Sequence, residues 1–318
     1  MNLIDVFNGD ADGLCALHQL RLADPADSEL ITGPKRDISL LKQVKAGAGD
    51  RITVLDIALS KNRDALDRLL EAGAQVRYFD HHQPGDIPVH PNFEPHIDTD
   101  ANVCTSLLVN QYLQGRHLAW AVVAAFGDNL ADAARQAAAP LDLSAGQLAQ
   151  LQSLGECLNY NGYGETLDDL FFDPADLYRQ LRPFADPFAF IAESPAYSTL
   201  KTGYQEDMAR AVDVEPMEAR ASGRIFMLPA EKWARRISGV FGNRLAVESP
   251  AQAHAVLTGK PEGGYLVSVR APLVARSGAD ELCSQFDSGG GRRGAAGINH
   301  LPESELGRLI TLFFKTFD

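Results

Sequence analysis

The sequence predicts an α/β protein: an N-terminal parallel sheet with flanking helices, followed by a smaller C-terminal α/β domain. Two observations carry this. Over residues 1–130, short β-rich runs alternate with helix-patterned segments, the rhythm of parallel strands joined by helical crossovers. From Arg224 onward strand-like runs restart, and 318 residues are enough for two domains with cores of their own. The expected division is 1–190, a linker helix over 191–216, and 217–318.

In order, residues 2–7 (NLIDVF), 29–32, 51–55 (RITVL) and 75–79 (QVRYF) have the composition of strands. Residues 15–22 form the expected helix after the first strand. Residues 60–73 open on a serine with N-cap chemistry, repeat apolar residues at helical spacing and stop at Gly73. Further helices are expected over 104–113, 118–126 and 141–159. Pro174, Pro183, Pro187 and Pro195 make 173–195 an expected irregular joining region, with a bridging helix near 197–212. Then RIFML, RLAVE, AHAVL and YLVSVR have strand character, and SELGRLITLFFKTF is an amphipathic terminal helix.

Hydrophobic content of 45% and charged content of 22% are those of a soluble globular chain. No run approaches the roughly 18 apolar residues of a membrane span. MNLIDVFNGD has neither the basic flank nor the apolar stretch of a signal peptide. Cys15, Cys104, Cys157 and Cys283 lie far apart without a C-x-x-C pair, so reduced thiols and a cytoplasmic location are expected. The net charge is −13. Of 29 Lys+Arg and 42 Asp+Glu, residues 217–318 hold 13 and 10, leaving 16 and 32 in residues 1–216. So acidic a first domain gains little from counterion release on a long nucleic acid. A small phosphate-bearing partner suits it better, although much of the acidic excess is ordinary solvated surface.

The chemistry-bearing residues fall at one place in this scheme. Asp10 and Asp12 follow the first strand in FNGDADGL, Asp56 follows the third in VLDIA, and Asp80-His81-His82 follows the fourth in YFDHH. Open α/β sheets bind ligands in the crevice at the carboxyl ends of their strands. Taken singly, Asp10–Gly13 reads as a turn or helix cap, Asp56 as a cap and the histidines as surface residues. Their coincidence at one sheet edge is what points to a site. Carboxylates mixed with imidazoles suit Mn²⁺ better than Ca²⁺. Carboxylates gathered in one crevice repel one another unless cations neutralise them. Two ions about 3.5–4 Å apart form a common device for phosphate-ester hydrolysis, activating water and stabilising phosphoryl charge.

The set FNGDADGLCA, VLDIA, FDHH and FGDN resembles the motif series of the DHH phosphoesterases, and SGGGRRGAAG (288–297) resembles the glycine-rich signature of the DHH-associated substrate-binding domain. The resemblance covers nearly the whole chain. It implies Asp10, Asp12, Asp56, His81 and Asp128 as ligands of two Mn²⁺ ions (Mg²⁺ or Co²⁺ also serving), with Asp56 bridging. It implies His82 at the scissile phosphate or leaving group, and Asp80 as a partner orienting His81 or adding to the metal field. Gly289, Gly290 and Gly291 would let backbone N–H groups approach an anion, with Arg292, Arg293 and Arg270 as candidate phosphate partners; a flexible loop and a surface arginine are the plain alternatives.

The sequence also departs from the family pattern. Val6 stands where some branches place a metal-binding histidine, and Asn8 where the branch resembling RecJ-type exonucleases places an aspartate, so the first metal position is short of a ligand. Arg292 stands where the glycine-rich signature usually has a histidine. The expected activity is metal-dependent hydrolysis of small nucleotides: short single-stranded oligonucleotides, dinucleotides or a nucleoside bisphosphate. Hydrolysis of polyphosphate or pyrophosphate is the second reading, and a non-catalytic nucleotide-binding regulator the third. Homodimerisation is compatible with each.

Overall fold

A computed structural model describes all 318 residues. The chain divides into two compact units, Met1–Thr202 and Gly203–Asp318. In the first, β1 (Leu3–Asn8), α1 (Ala11–Ala23), β2 (Glu29–Gly33), β3 (Arg51–Leu55), α2 (Leu59–Glu71), β4 (Gln75–Asp80) and β5 (Phe93–Ile97) build the sheet and its first helices. There follow α3 (Thr105–Tyr112), α4 (Leu118–Gly127), α5 (Ala131–Ala138), α6 (Ala145–Gly162), α7 (Pro174–Leu181), α8 (Pro187–Glu193) and α9 (Pro195–Val212), the last of which runs on into the second unit from Gly203. The five strands pair in parallel in the order β2-β1-β3-β4-β5. The chain therefore reverses its direction of winding between β1 and β3, and ligands of open sheets lie outside the carboxyl ends at such a point.

Alternation along the central strands feeds two cores. Phe7, Leu55 and Phe79 enter one with α1, α4 and α6, while Val6, Val54 and Tyr78 enter the other with α2. With both faces covered, these strands read as nearly continuous apolar runs. β5 carries Pro95 and was not expected as a strand; it is an edge strand, where proline costs no ladder hydrogen bond that a central strand would need.

The proline-bearing stretch is more regular than its composition implies. Pro174 and Pro187 occupy the first turns of α7 and α8, capped by Asp173 and Asp186, and Pro195 opens α9. Proline at a helix start loses no intrahelical bond and is already set to a helical φ, so these prolines begin helices instead of breaking them. Ala196, Tyr197 and Leu200 of α9 belong to the core of the first unit.

Close approach of α4 and α6 sets the position of the residue after α4, Asp128. A Cβ on Gly155 would lie 2.1 Å from the Val123 carbonyl oxygen and 2.9 Å from the Gly127 nitrogen. Gly155→Ala is accordingly expected to cost about 1–3 kcal/mol, a fall of several degrees in a thermal melt. An unchanged melting temperature would mean that the two helices do not need this contact.

The second unit contains β6 (Glu218–Arg220), β7 (Gly223–Leu228), α10 (Lys232–Glu248), β8 (Ala253–Gly259), β9 (Tyr265–Arg270), α11 (Ala279–Cys283), β10 (Gly289–Arg292), β11 (Ala295–Leu301) and α12 (Leu306–Phe317). Its six strands run β10-β11-β9-β8-β7-β6, antiparallel except for the β7–β8 pair, which α10 connects. The RLAVE run, expected as a strand, is the last part of α10. Trp233, Ile237, Phe241 and Leu245 recur every four residues as a buried stripe, and that longer period overrides the local β propensity. The terminal amphipathic helix is α12, which buries Leu309, Phe313 and Phe314. No helix is long and apolar enough to cross a membrane.

Candidate metal centre

Asp10 is both a cap and a site residue. Its Oδ1 accepts the N–H groups of Asp12 (3.0 Å) and Gly13 (3.1 Å) at the start of α1, while Oδ2 receives the Lys35 ammonium at 2.5 Å. Asp12, near the start of that buried helix, accepts the backbone N–H groups of Thr105 and Ser106, each at 2.7 Å. The start of α3 is thereby tied to the start of α1 across 93 residues of sequence.

Asp56 leaves β3 with φ of +58°, a left-handed conformation unusual for a residue with a side chain. That turn sets its buried carboxylate among the others, with the Thr105 hydroxyl donating to Oδ1 at 3.2 Å. His81 follows β4, and its Nδ1 lies 2.8 Å from the Val103 carbonyl oxygen. A carbonyl only accepts, so Nδ1 carries a proton there and Nε2 is the nitrogen that faces the carboxylates. Nε2 is 3.5 Å from Asp56 Oδ1 and 3.7 Å from Asp128 Oδ2.

Asp128 follows α4 directly. Its Oδ2 is buried without a hydrogen-bond partner in the protein, and Oδ1 lies 3.5 Å from Lys35 Nζ. Asp80, fully buried, accepts from the His81 and His82 backbone N–H groups and from His82 Nδ1 at 2.6 Å. The family resemblance implies that Asp80 orients His81 or adds to the metal field. In the fold Asp80 holds the ring of His82, and the Val103 carbonyl holds His81.

Ligand atoms of Asp12, His81 and Asp128 lie within 4.8 Å of one another, as do those of Asp56, His81 and His82. The electrostatics show how strongly these residues call for a cation. Burial, then the charges of Asp10 and Asp12, push Asp56 well above the usual carboxylate range. Burial likewise raises Asp12, with Asp128 and Asp10 adding to it against the opposing charge of His81. Burial opposes the charged form of His81, but Asp56, Asp12 and Asp128 outweigh it and push the imidazole up to about 10. Asp10 goes the other way: burial alone would raise it, yet Lys35 and the Gly13 N–H hold it below its ordinary value.

A divalent cation fits this donor set. The oxygens and imidazole nitrogen match Mn²⁺ chemistry, the second nitrogen of His81 is fixed by a carbonyl, and Asp128 Oδ2 is a buried acceptor with nothing to accept. An ion held there would compete with a proton for His81 Nε2. Mn²⁺ binding near neutral pH should therefore release at least one proton, from His81 and from whichever raised carboxylate still holds one, and affinity should rise at least about tenfold per pH unit while His81 is charged. Calorimetry in buffers of different protonation enthalpy reads that count. Affinity independent of pH across this range would remove His81 from the ligand set.

Several residues of the site lie outside every motif in the sequence. Lys35 follows the carboxyl end of β2, and extending the strand-end rule to cations would have found it. Its ammonium also donates to Asn159 Oδ1 at 3.2 Å and lies 5.6 Å from the centre of the Tyr163 ring. Burial disfavours its charge, but Asp10, Tyr163 and Asp128 together raise its pKa well above the ordinary lysine value. Thr105, Ser106 and Asn159 come from helices distant in sequence.

In the second unit, Gly289, Gly290, Gly291 and Arg292 form β10, an edge strand paired with β11, and Arg293 lies in the turn between them. The expectation for these glycines is backbone able to approach an anion, with a flexible loop as the plain alternative. Glycine is needed here for a close approach of backbone, since a Cβ on Gly289 would overlap the Cys283 carbonyl oxygen. Arg292 and Arg293 are exposed. Arg270 instead lies along α10, donating to Asn243 Oδ1 at 2.6 Å, the Ser268 hydroxyl at 2.9 Å and the Gly239 carbonyl at 3.3 Å.

A doubly wound unit with carboxylates and imidazoles at its switch point, followed by a mixed-sheet unit, defines a class of protein. The chain has the fold of the DHH-domain proteins. It aligns with the DHH domain of a member of a family of ribosomal proteins (TM-score 0.63, 15% identity, 99% of this chain and 86% of that one). It aligns equally with the exonuclease RecJ bound to manganese (0.63, 16%, 99% and 90%). A pGpG-specific phosphodiesterase, PggH from Vibrio cholerae, matches over 99% of this chain and 100% of its own, with TM-score 0.55 and 13% identity. At such identities the likeness is one of fold. No family model matches the sequence, nor does any curated protein.

Proposed function

We propose that the chain is a divalent-metal-dependent phosphoesterase acting on small nucleotides: short oligonucleotides, dinucleotides or a nucleoside bisphosphate. The observation that carries the reading is the convergence of Asp12, Asp56, His81 and Asp128 at the carboxyl edge, with Asp128 Oδ2 buried and unbonded. These four residues would hold the ion. A bound divalent ion there supplies Lewis acidity, lowering the pKa of a water nucleophile and offsetting phosphoryl charge.

The protein supplies the rest. Thr105 and Ser106 N–H groups fix the Asp12 carboxylate, and the Thr105 hydroxyl fixes Asp56. Asp80 anchors Nδ1 of His82, whose side chain is 35% exposed. The imidazolium form of His82 can then give the Nε2 proton to a leaving-group oxygen. The acidic balance of residues 1–216 favours a small substrate over a long polyanion. In the second unit, Arg292 and Arg293 are exposed and have the chemistry to pair with a phosphate group. RecJ and PggH, an exonuclease and a dinucleotide phosphodiesterase of the same fold, support the substrate class.

The test is an assay with Mn²⁺ against dinucleotides, short single-stranded oligonucleotides, a nucleoside bisphosphate and inorganic polyphosphate, alongside Asp56→Ala and His81→Ala. Hydrolysis of a nucleotide is expected, and its loss in both variants and on chelation. Turnover of polyphosphate alone would replace the substrate class. If the parent and both variants are equally inert yet still bind nucleotide, the enzyme reading fails.

A further inference from the structure

We propose that Lys35 is the second cation of this site, so that the chain holds one divalent ion beside a fixed ammonium instead of an ion pair. The inference rests on the metal-centre reading above and concerns how many ions that centre takes. Two-metal phosphoesterase sites place the second positive charge about 3.5–4 Å from the first. Here Lys35 Nζ lies 2.5 Å from Asp10 Oδ2 and 3.5 Å from Asp128 Oδ1, so it touches one carboxylate of the cation-holding group and the one outside it. Asp10 belongs to neither set of residues whose ligand atoms converge. One of its oxygens caps α1 and the other is taken by Lys35.

The lysine is built in at both ends. Its backbone N–H donates to the Gly162 carbonyl oxygen at 2.9 Å, and its own carbonyl oxygen lies 3.5 Å from Asn8 Nδ2. Its ammonium meets Asn159 Oδ1 at 3.2 Å and the face of Tyr163. The residues on β1 nearest Asp10 offer no replacement ligand for an ion. Val6 is wholly buried in the apolar core, and Asn8 spends its amide on the Lys35 carbonyl and the Asp10 N–H. An ion seated on Asp10 would face the ammonium at close range in a poorly solvated pocket, and the two charges would repel.

Chemically, a lysine is a point charge with three donors. Asp10 and Asn159 accept two of its N–H groups, and the third, with Asp128 Oδ1 3.5 Å from Nζ, can be shared with a non-bridging oxygen of the substrate phosphate. Lys35 would therefore neutralise phosphoryl charge where a second ion otherwise would, without depending on metal concentration.

The experiment is Mn²⁺ stoichiometry on the full chain by equilibrium dialysis with elemental analysis, paired with electron paramagnetic resonance of the bound ion. One ion per chain with the six-line spectrum of an isolated Mn²⁺ is expected for the parent. Lys35→Ala, which frees Asp10, is expected to take up a second ion and give a spin-coupled spectrum. Two coupled ions in the parent would overturn the proposal and leave the metal-centre reading standing. One ion in both proteins would also overturn it, because Lys35 would then not be what excludes the second. No ion in either would sink the metal-centre reading itself. Should Lys35→Ala fail to fold, Lys35→Gln takes its place with the same expected outcomes, and two coupled ions in the parent alone still overturn the proposal.

Discussion

Asp56→Asn is expected to lose at least about a thousandfold in kcat while the metal-free protein melts no lower than the parent. The two halves come from one fact. Asp56 is a buried carboxylate whose pKa is raised by burial and by Asp10 and Asp12. In the folded protein it holds its proton to higher pH than in the unfolded chain. Above the unfolded carboxylate value the folded state is therefore penalised, and metal-free stability falls as pH rises. His81, raised to about 10, adds in the same direction: its contribution is full below the unfolded histidine value and is lost as pH climbs through about 10. Asparagine removes the penalty at position 56, keeps the shape and tolerates the φ of +58° better than alanine, so Asp56→Asn separates charge from backbone strain. Without the carboxylate, however, the proposed centre would lose one of the ligands for its cation. Calorimetric melts with and without Mn²⁺, together with kcat, test both halves. Activity within about tenfold of the parent would remove Asp56 from the centre.

His82→Ala should lower kcat by about 10²–10⁴-fold and leave Mn²⁺ affinity unchanged. The ring is anchored at Nδ1 by Asp80, and at 35% exposure it is the most open of the acid–imidazole residues after β3 and β4. Asp80→Asn acts through that ring and should cost less, about 10–100-fold. If His82 protonates the leaving oxygen, a substrate with an acidic phenol as leaving group needs no such help, and the defect should largely disappear with it. The measurement also bears on the alternative cation set of Asp56, His81 and His82. A large fall in Mn²⁺ affinity in His82→Ala would make the residue a ligand and remove it from proton transfer.

Much of the fold is legible in the sequence. The strands at residues 2–7, 29–32, 51–55 and 75–79 coincide closely with β1 to β4, because buried parallel strands read as apolar runs bounded by loop residues. The helices over 104–113 and 118–126 fall on α3 and α4. The misreadings have local causes. RLAVE has β-like composition inside a helix whose buried face repeats every four residues, and β5 is an edge strand hidden by Pro95. Prolines in 173–195 open α7, α8 and α9 instead of breaking the chain. In each case composition misleads because packed neighbours, absent from a local window, decide what it means.

What the sequence by itself determined is the parallel sheet and the gathering of Asp10, Asp12, Asp56, Asp80, His81 and His82 at its carboxyl edge. Residues that directly follow parallel strands have nowhere else to go. Only the tertiary structure decided which charge meets which. It pairs Lys35 with Asp10, gives the ring of His81 to the Val103 carbonyl and that of His82 to Asp80, and brings Asp128 to the site where α4 presses on α6. The Thr105 and Ser106 contacts to Asp12 span 93 and 94 residues of chain. Periodicity and propensity are local, whereas a hydrogen bond or ion pair between distant segments exists only once packing has brought them within about 3 Å.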